Sequence, residues 1–123
     1  MAVRTFTVIQ NPWDASGIIL VKWTGLTKAT DDTGTPFVCP HYADKSIQLI
    51  GTLGVAGECT IQGSNMATSP TYATLADPQG NALVMTGLKI EQVLENTYLI
   101  RPSITNGDAN TLLDVYMLVF SAR

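Results

Sequence analysis

A chain of 123 residues with only 14% charged side chains has the length of one domain, and so few charges suggest that part of its surface meets another protein. Its seven basic residues are scattered and its net charge is −3, which excludes the clustered lysines and arginines of a nucleic-acid-binding protein. No apolar run approaches the roughly 20 residues of a membrane helix, and the first residues lack the apolar stretch of a signal peptide. We therefore expect one domain over residues 1–123, made in a cytoplasm, that binds neither nucleic acid nor membrane.

Apolar residues recur at every second position along most of the chain, which predicts β-strands. In chain order, the predicted strands cover residues 4–9, 17–23, 45–53, 58–63, 72–75, 82–86, 98–105 and 112–120. Residues 87–96 fit either a short helix or an irregular strand. About eight short strands of near-regular spacing are typical of a β-sandwich or jelly roll with mostly antiparallel strands. The predicted fold class is therefore all-β, with a small barrel as the alternative closure.

Three segments have the composition of tight connections between these strands. Residues 77–80 (Asp-Pro-Gln-Gly) match a type I turn, with aspartate first, proline second and glycine fourth. Residues 106–108 (Asn-Gly-Asp) predict a tight reversal, and the glycines of residues 51–57 predict a hairpin connection. We therefore expect the strands on either side of the last two segments to pair with each other.

The residue types that bind metals are sparse in this sequence. His41 is the only histidine, and with Cys39 it falls short of the three or four ligands of a zinc site, so a packed or solvated histidine is favoured. Asp31 and Asp32 lack the alternating oxygen ligands of a calcium loop, which favours a solvated loop tip. Cys39 and Cys59 permit one disulfide, but in a reducing compartment two small buried side chains are the favoured interpretation. We expect no metal and no cofactor.

A small hydrolase that uses Cys39 or Ser64 with His41 is the enzymatic alternative. The Gly-x-Ser-x-Gly elbow around Ser64 is incomplete, and Cys39 lacks a recognisable family signature. Glycine-rich phosphate-binding motifs are absent from the sequence as well. We therefore expect no catalytic residues, and we expect a structural or binding protein rather than an enzyme.

The last predicted strand is apolar on both faces. The face that is expected to fill the core carries Leu113, Val115, Met117 and Val119. The opposite face carries Leu112, Asp114, Tyr116, Leu118 and Phe120. Because the second set is too apolar for a solvated face, either a second layer of the domain or another protein surface should cover it, and its four large apolar side chains are candidate interface residues. Trp13 and, more weakly, Tyr72 join them, because an aromatic ring in a loop often anchors an interface.

Three short motifs in the second half of the chain are more specific than its composition. They are Gly63-Ser64-Asn65, Asp77-Pro78-Gln79-Gly80-Asn81-Ala82 and Ile100-Arg101-Pro102. With these motifs, residues 42–119 resemble the head decoration proteins, or cement proteins, of tailed bacteriophages. The loop after Asn65 departs from the family pattern, and the first forty residues match nothing in it.

The resemblance implies a sandwich or jelly-roll subunit without enzymatic activity. Such a subunit sits on the capsid surface of the virion, binds the outside of a shell of major capsid protein and stabilises the joints between capsomers. The resemblance also implies self-association, with a homodimer favoured over a homotrimer. Residues 1–16 are a candidate N-terminal arm that grips the capsid or a neighbouring subunit.

Two other functions fit the same fold class. A carbohydrate- or receptor-binding module needs two or three aromatic side chains on one exposed face. Its candidates are Trp13, Trp23 and Tyr72, of which Trp23 is expected to be buried. A component of a phage tail or baseplate is the other alternative.

Overall fold

The computed structural model describes residues 3–10, 17–27, 32–40 and 42–121, which form twelve β-strands and no helix. The strands are β1 (Val3–Arg4), β2 (Phe6–Gln10), β3 (Ile18–Thr27), β4 (Thr33–Gly34), β5 (Phe37–Val38), β6 (Tyr42–Thr52), β7 (Glu58–Ser64), β8 (Ala73–Thr74), β9 (Val84–Met85), β10 (Ile90–Val93), β11 (Leu99–Thr105) and β12 (Leu112–Ser121). Each of the eight predicted strands overlaps at least one of these, and the ambiguous segment 87–96 contains the strand β10. The part of the chain that is described therefore holds no helix long and apolar enough to cross a membrane.

The strands form two sheets. The order in the five-stranded sheet is β10-β6-β12-β3-β2, and the order in the seven-stranded sheet is β1-β4-β11-β7-β8, with β5 also paired to β11 and β9 to β7. Every described pair is antiparallel except the parallel pair of β1 and β4. The two sheets pack as a sandwich, so the predicted all-β sandwich of mostly antiparallel strands is confirmed.

The core lies between the two sheets and is filled by the inward side chains of alternating positions. On β12 these are Leu113, Val115, Met117 and Val119, all with no solvent-exposed surface. Trp23 of β3 is buried beside them, and its Nε1 donates a hydrogen bond to the Thr35 carbonyl oxygen at 2.8 Å. Gly34 passes so close to Trp23 that a Cβ there would lie 2.5 Å from the indole Cδ1. Burial of each large apolar side chain stabilises the fold by about 1.5–3 kcal/mol, so this inner layer dominates stability.

The first described residues belong to both sheets. β1 pairs with β4 of the seven-stranded sheet, and β2 pairs with β3 of the five-stranded sheet. Phe6 packs edge-on against Trp23 and Phe37, with ring centroids 5.9 and 5.5 Å apart. Of the predicted N-terminal arm, residues 3–10 are thus paired within the sandwich, and residues 11–16 lie outside the described residues.

The turn over residues 77–80 is confirmed, because the Gly80 amide donates to the Asp77 carbonyl oxygen at 2.9 Å. The two predicted reversals between paired strands are wrong. Residues 53–57 and 106–111 each connect a strand of one sheet to a strand of the other. The two crossovers are joined, since the Asp108 carboxylate accepts a hydrogen bond from the Val55 amide at 2.9 Å. Turn composition indicates where a chain bends, but the partner of the next strand is set by distant residues.

Candidate functional site

The outer side of β12 is open to solvent. β12 lies in the middle of the five-stranded sheet, between β6 and β3, and its outward side chains alternate with the buried inner ones. Leu112 is 55% exposed and Phe120 36% exposed, while Tyr116 and Leu118 are partly buried by their neighbours in the sheet. No described segment of the chain forms a second layer over this side. The sequence predicted that either a second layer of the domain or another protein would cover this side of β12. Among the described residues there is no such second layer.

Neighbouring strands extend this apolar surface. Leu20 of β3 lies beside Leu118, and Ile9 of β2 lies beside Leu20. We call the outward side of the five-stranded sheet the outer face. Its apolar members are Ile9, Ile18, Leu20, Ile50, Ile90, Leu112, Tyr116, Leu118 and Phe120. A shallow groove of about 320 Å³ runs across its middle, lined by Leu20, Ser46, Gln48, Ile90, Tyr116 and Leu118.

The charges near the centre of the outer face are paired. Lys22 Nζ lies 3.8 Å from Asp114 Oδ2 and 5.2 Å from the centroid of the Tyr116 ring. A hydrogen bond and an electrostatic interaction with Tyr116 raise the pKa of Lys22 above its ordinary value, and the Asp114 carboxylate raises it further. Asp114 is fixed in turn by the Gly25 amide, which donates to its Oδ1 at 2.9 Å beside the irregularity in pairing between Leu113 and Val115. The face therefore presents an apolar surface with a neutralised central pair.

The remaining candidate interface residues lie elsewhere. Tyr72 precedes β8 of the seven-stranded sheet, and the Arg101 guanidinium stacks 3.7 Å from its ring centroid. The same Arg101 donates from Nε to the Gln62 side-chain oxygen at 2.9 Å. Trp13 falls outside the described residues. With Trp23 buried and Tyr72 covered on one side by Arg101, the aromatic candidates for carbohydrate binding form no open platform among the described residues.

The candidate nucleophiles Cys39 and Ser64 are buried, and so is Cys59. Burial raises the pKa of Cys39 to about 11 and that of Cys59 to about 12, so both thiols are protonated at neutral pH. Both cysteines are free of disulfides. Ser64 is buried as well, and its Oγ accepts a hydrogen bond from the Met66 amide at 3.1 Å. His41 lies outside the described residues, among which no group of three or more His, Cys, Asp or Glu could hold a metal ion.

Two buried charges were not expected from the sequence. Lys45 is on the inner side of β6, where its Nζ donates to Asn96 Oδ1 at 2.7 Å, and burial lowers its pKa. The signal was present, because Lys45 alternates in phase with Ile47. Asp32 is fully buried and accepts hydrogen bonds from Arg4 Nε at 2.8 Å and from the Thr27 amide. The prediction of a solvated loop tip is therefore wrong for Asp32, because β1 brings Arg4 to its carboxylate.

Comparison with known proteins shows the fold but no family. No model of a protein family matches the chain, and no curated protein matches its sequence. The structure of the SPBc2 prophage-derived protein YomS is similar, with a TM-score of 0.57 and 11% identity over 85% of this chain and 95% of that one. At this identity the likeness shows a shared β-sandwich fold and nothing about activity.

Two further solved structures are less similar to this one. Cobalt(II) HppE in complex with Tris buffer has a TM-score of 0.43 and 10% identity over 94% of this chain and 52% of that one, so this chain spans about half its length. A cupin 2 domain-containing protein from Halorhodospira halophila has a TM-score of 0.41 and 11% identity over 96% and 64% of the two chains. These overlaps are too loose to bear on function.

Proposed function

We propose that this chain is a non-enzymatic structural protein of a phage virion, which binds the outer surface of the capsid and stabilises the shell. The observation that carries the proposal is the outer face, a broad apolar sheet surface with no described segment over it. Large exposed apolar patches mark sites of protein association in soluble proteins. The motifs by which the sequence resembles decoration proteins favour a capsid as the assembly.

The interior of the sandwich also supports an assembly role. The core positions are filled by apolar side chains such as Trp23, Met117 and Ile100. The two thiols are held protonated by burial, which makes them poor nucleophiles near neutral pH. A protein of this kind acts by the surface it presents to other proteins.

A prophage-derived protein has a similar sandwich fold, which is compatible with this proposal. A decoration protein does not need a tight single contact. Many identical copies on one shell act together, so a modest interface per copy stabilises the whole particle.

The test is to mix the purified chain with undecorated capsids of the phage or prophage that encodes it. We expect saturable binding at a fixed number of copies per capsomer, together with a higher temperature of capsid disruption. Unlabelled chain should compete with labelled chain, whereas an unrelated protein of similar size should not. Absence of saturable binding to capsids would overturn the proposal, and saturable binding to isolated tails alone would assign the chain to the tail or baseplate instead.

A further inference from the structure

We propose that the outer face of the five-stranded sheet is a self-association surface, through which two copies of this chain form a symmetric dimer. In the free protein this dimer assigns a definite occupant, a second copy, to the apolar surface around β12, and it leaves the remaining surface of each copy to contact a capsid.

The size of the outer face suits a dimer. The five strands of this sheet contain forty residues: 10 in β3, 11 in β6, 10 in β12, 5 in β2 and 4 in β10. With about 3.3 Å of rise per residue and about 4.8 Å between strands, this sheet covers about 600 Å². Two such faces would bury about 1,200 Å², which reaches the range of specific protein interfaces.

The charges of the outer face permit close contact with an apolar partner. Lys22 and Asp114 already neutralise each other across 3.8 Å, so a second copy need not supply a counter-charge for either. Asp44 lies beside Phe120 at the end of the sheet and is exposed, where it can keep its contact with water. Burying a lone charge would cost several kcal/mol, and this arrangement avoids that cost at the centre of the face.

A second copy presents the same apolar surface as the first. In a two-fold symmetric dimer the same patch meets itself, so the apolar centre formed by Leu20, Tyr116 and Leu118 contacts an identical apolar centre. Two sheets that stack face to face lie about 10 Å apart, with side chains interdigitating between them. Ser46 and Gln48 along the central groove offer hydroxyl and amide groups that can hydrogen-bond to their counterparts.

The test is the solution mass of the free protein, measured by sedimentation equilibrium over a range of concentrations. We expect twice the chain mass of 13.2 kDa for the wild type. Leu118→Lys should raise the dimer dissociation constant by at least about 100-fold, because each copy would bury a charge at the centre of the contact. Val55→Lys is the matched control, because Val55 is 96% exposed in the crossover after β6 and should leave the dimer unchanged.

If Leu118→Lys fails to fold, Phe120→Lys at the rim of the outer face is tested instead. It should raise the dimer dissociation constant by a smaller factor. A monomeric or trimeric wild type would overturn the proposal, and so would folded lysine variants that dimerise as tightly as the wild type. The capsid experiment separates the two proposals. A monomer that binds capsids would overturn only the dimer, and a dimer that binds no capsid would overturn only the proposed function.

Discussion

The two sheets of this sandwich share a core but differ in how they are built. Three strands of the five-stranded sheet have 10 or 11 residues, whereas five of the seven strands opposite have two. Their outward sides differ as well. On the seven-stranded sheet, Thr33, Ser103 and Thr60 lie side by side and are buried, whereas the outer face of the five-stranded sheet carries apolar side chains that are partly or largely exposed. The long strands thus carry the exposed apolar face, while the polar row on the opposite sheet runs across β4, β11 and β7.

The largest expected effect separates the two faces of β12. Met117→Ala removes a fully buried side chain and should lower the free energy of unfolding by about 3 kcal/mol. Leu118→Ala, one residue further on, should cost less than about 1 kcal/mol in the monomer, because Leu118 points outward. Urea unfolding at concentrations that keep the chain monomeric measures both. Equal losses for the two variants would show that the outer face is covered within the monomer.

The second prediction concerns the close contact between the sheets at Gly34. Gly34→Ala would place a methyl group within 2.6 Å of both Trp23 and Pro102, so we expect a loss of about 2 kcal/mol from forced repacking. Gly87→Ala is the matched control, because a Cβ there meets no atom within 4 Å. Thermal unfolding of the two variants makes the comparison. An unchanged midpoint for Gly34→Ala would contradict the tight packing against Trp23.

The third prediction uses the buried thiol of β7. The pKa of Cys59 is raised from 9.0 to about 12 by burial, so the folded state keeps a proton that the unfolded state loses. Its contribution to stability is complete below pH 9 and is lost as the pH rises towards 12. At pH 10.5 this costs about 2 kcal/mol relative to pH 8.

Urea unfolding of the wild type and of Cys59→Ala at pH 8 and pH 10.5 measures this effect. The alanine variant should be less stable at pH 8 but should lose about 2 kcal/mol less on going to pH 10.5. The same loss in both proteins would mean that the Cys59 thiol ionises as easily in the folded state as in the unfolded state.

The smallest expected effect is on the opposite sheet. Tyr72→Ala removes the ring that stacks on Arg101 and should cost about 0.5–1 kcal/mol, since the pair is partly exposed. The solution mass of this variant should equal that of the wild type, because Tyr72 lies on the seven-stranded sheet. A monomeric Tyr72→Ala variant would indicate that self-association uses the seven-stranded sheet, contrary to the proposal.

The long strands could be predicted from the sequence, and the short ones only in part. Alternation over nine or more residues indicates both the strand and the side that is buried, as Met117 and Leu118 illustrate. The two-residue strands β4 and β5 are too short for any periodicity; both pair with β11, and β4 pairs with β1 as well. The alternation of Lys45 with Ile47 indicated the inner side of the sheet, but its hydrogen-bond partner Asn96, 51 positions away, could not be predicted from that pattern.

The composition of the candidate site could be predicted, but its exposure could not. Leu112, Tyr116, Leu118 and Phe120 follow from the pattern of β12 alone. Whether another layer covers them depends on where the other strands lie, and two crossovers that were expected to be hairpins send β7 and β12 to different sheets. A local pattern shows that a face is apolar, and the global topology decides whether it stays open.

Hydroxyl-radical footprinting tests the outer face as a docking surface most directly. Oxidation rates of Tyr116, Leu118 and Phe120 are compared in dilute and in concentrated protein, with the exposed Val55 as the internal reference. We predict that the three outer-face side chains become protected at high concentration while Val55 reacts at a constant rate. Unchanged rates at all four positions, in a protein that is an oligomer by mass, would contradict the account.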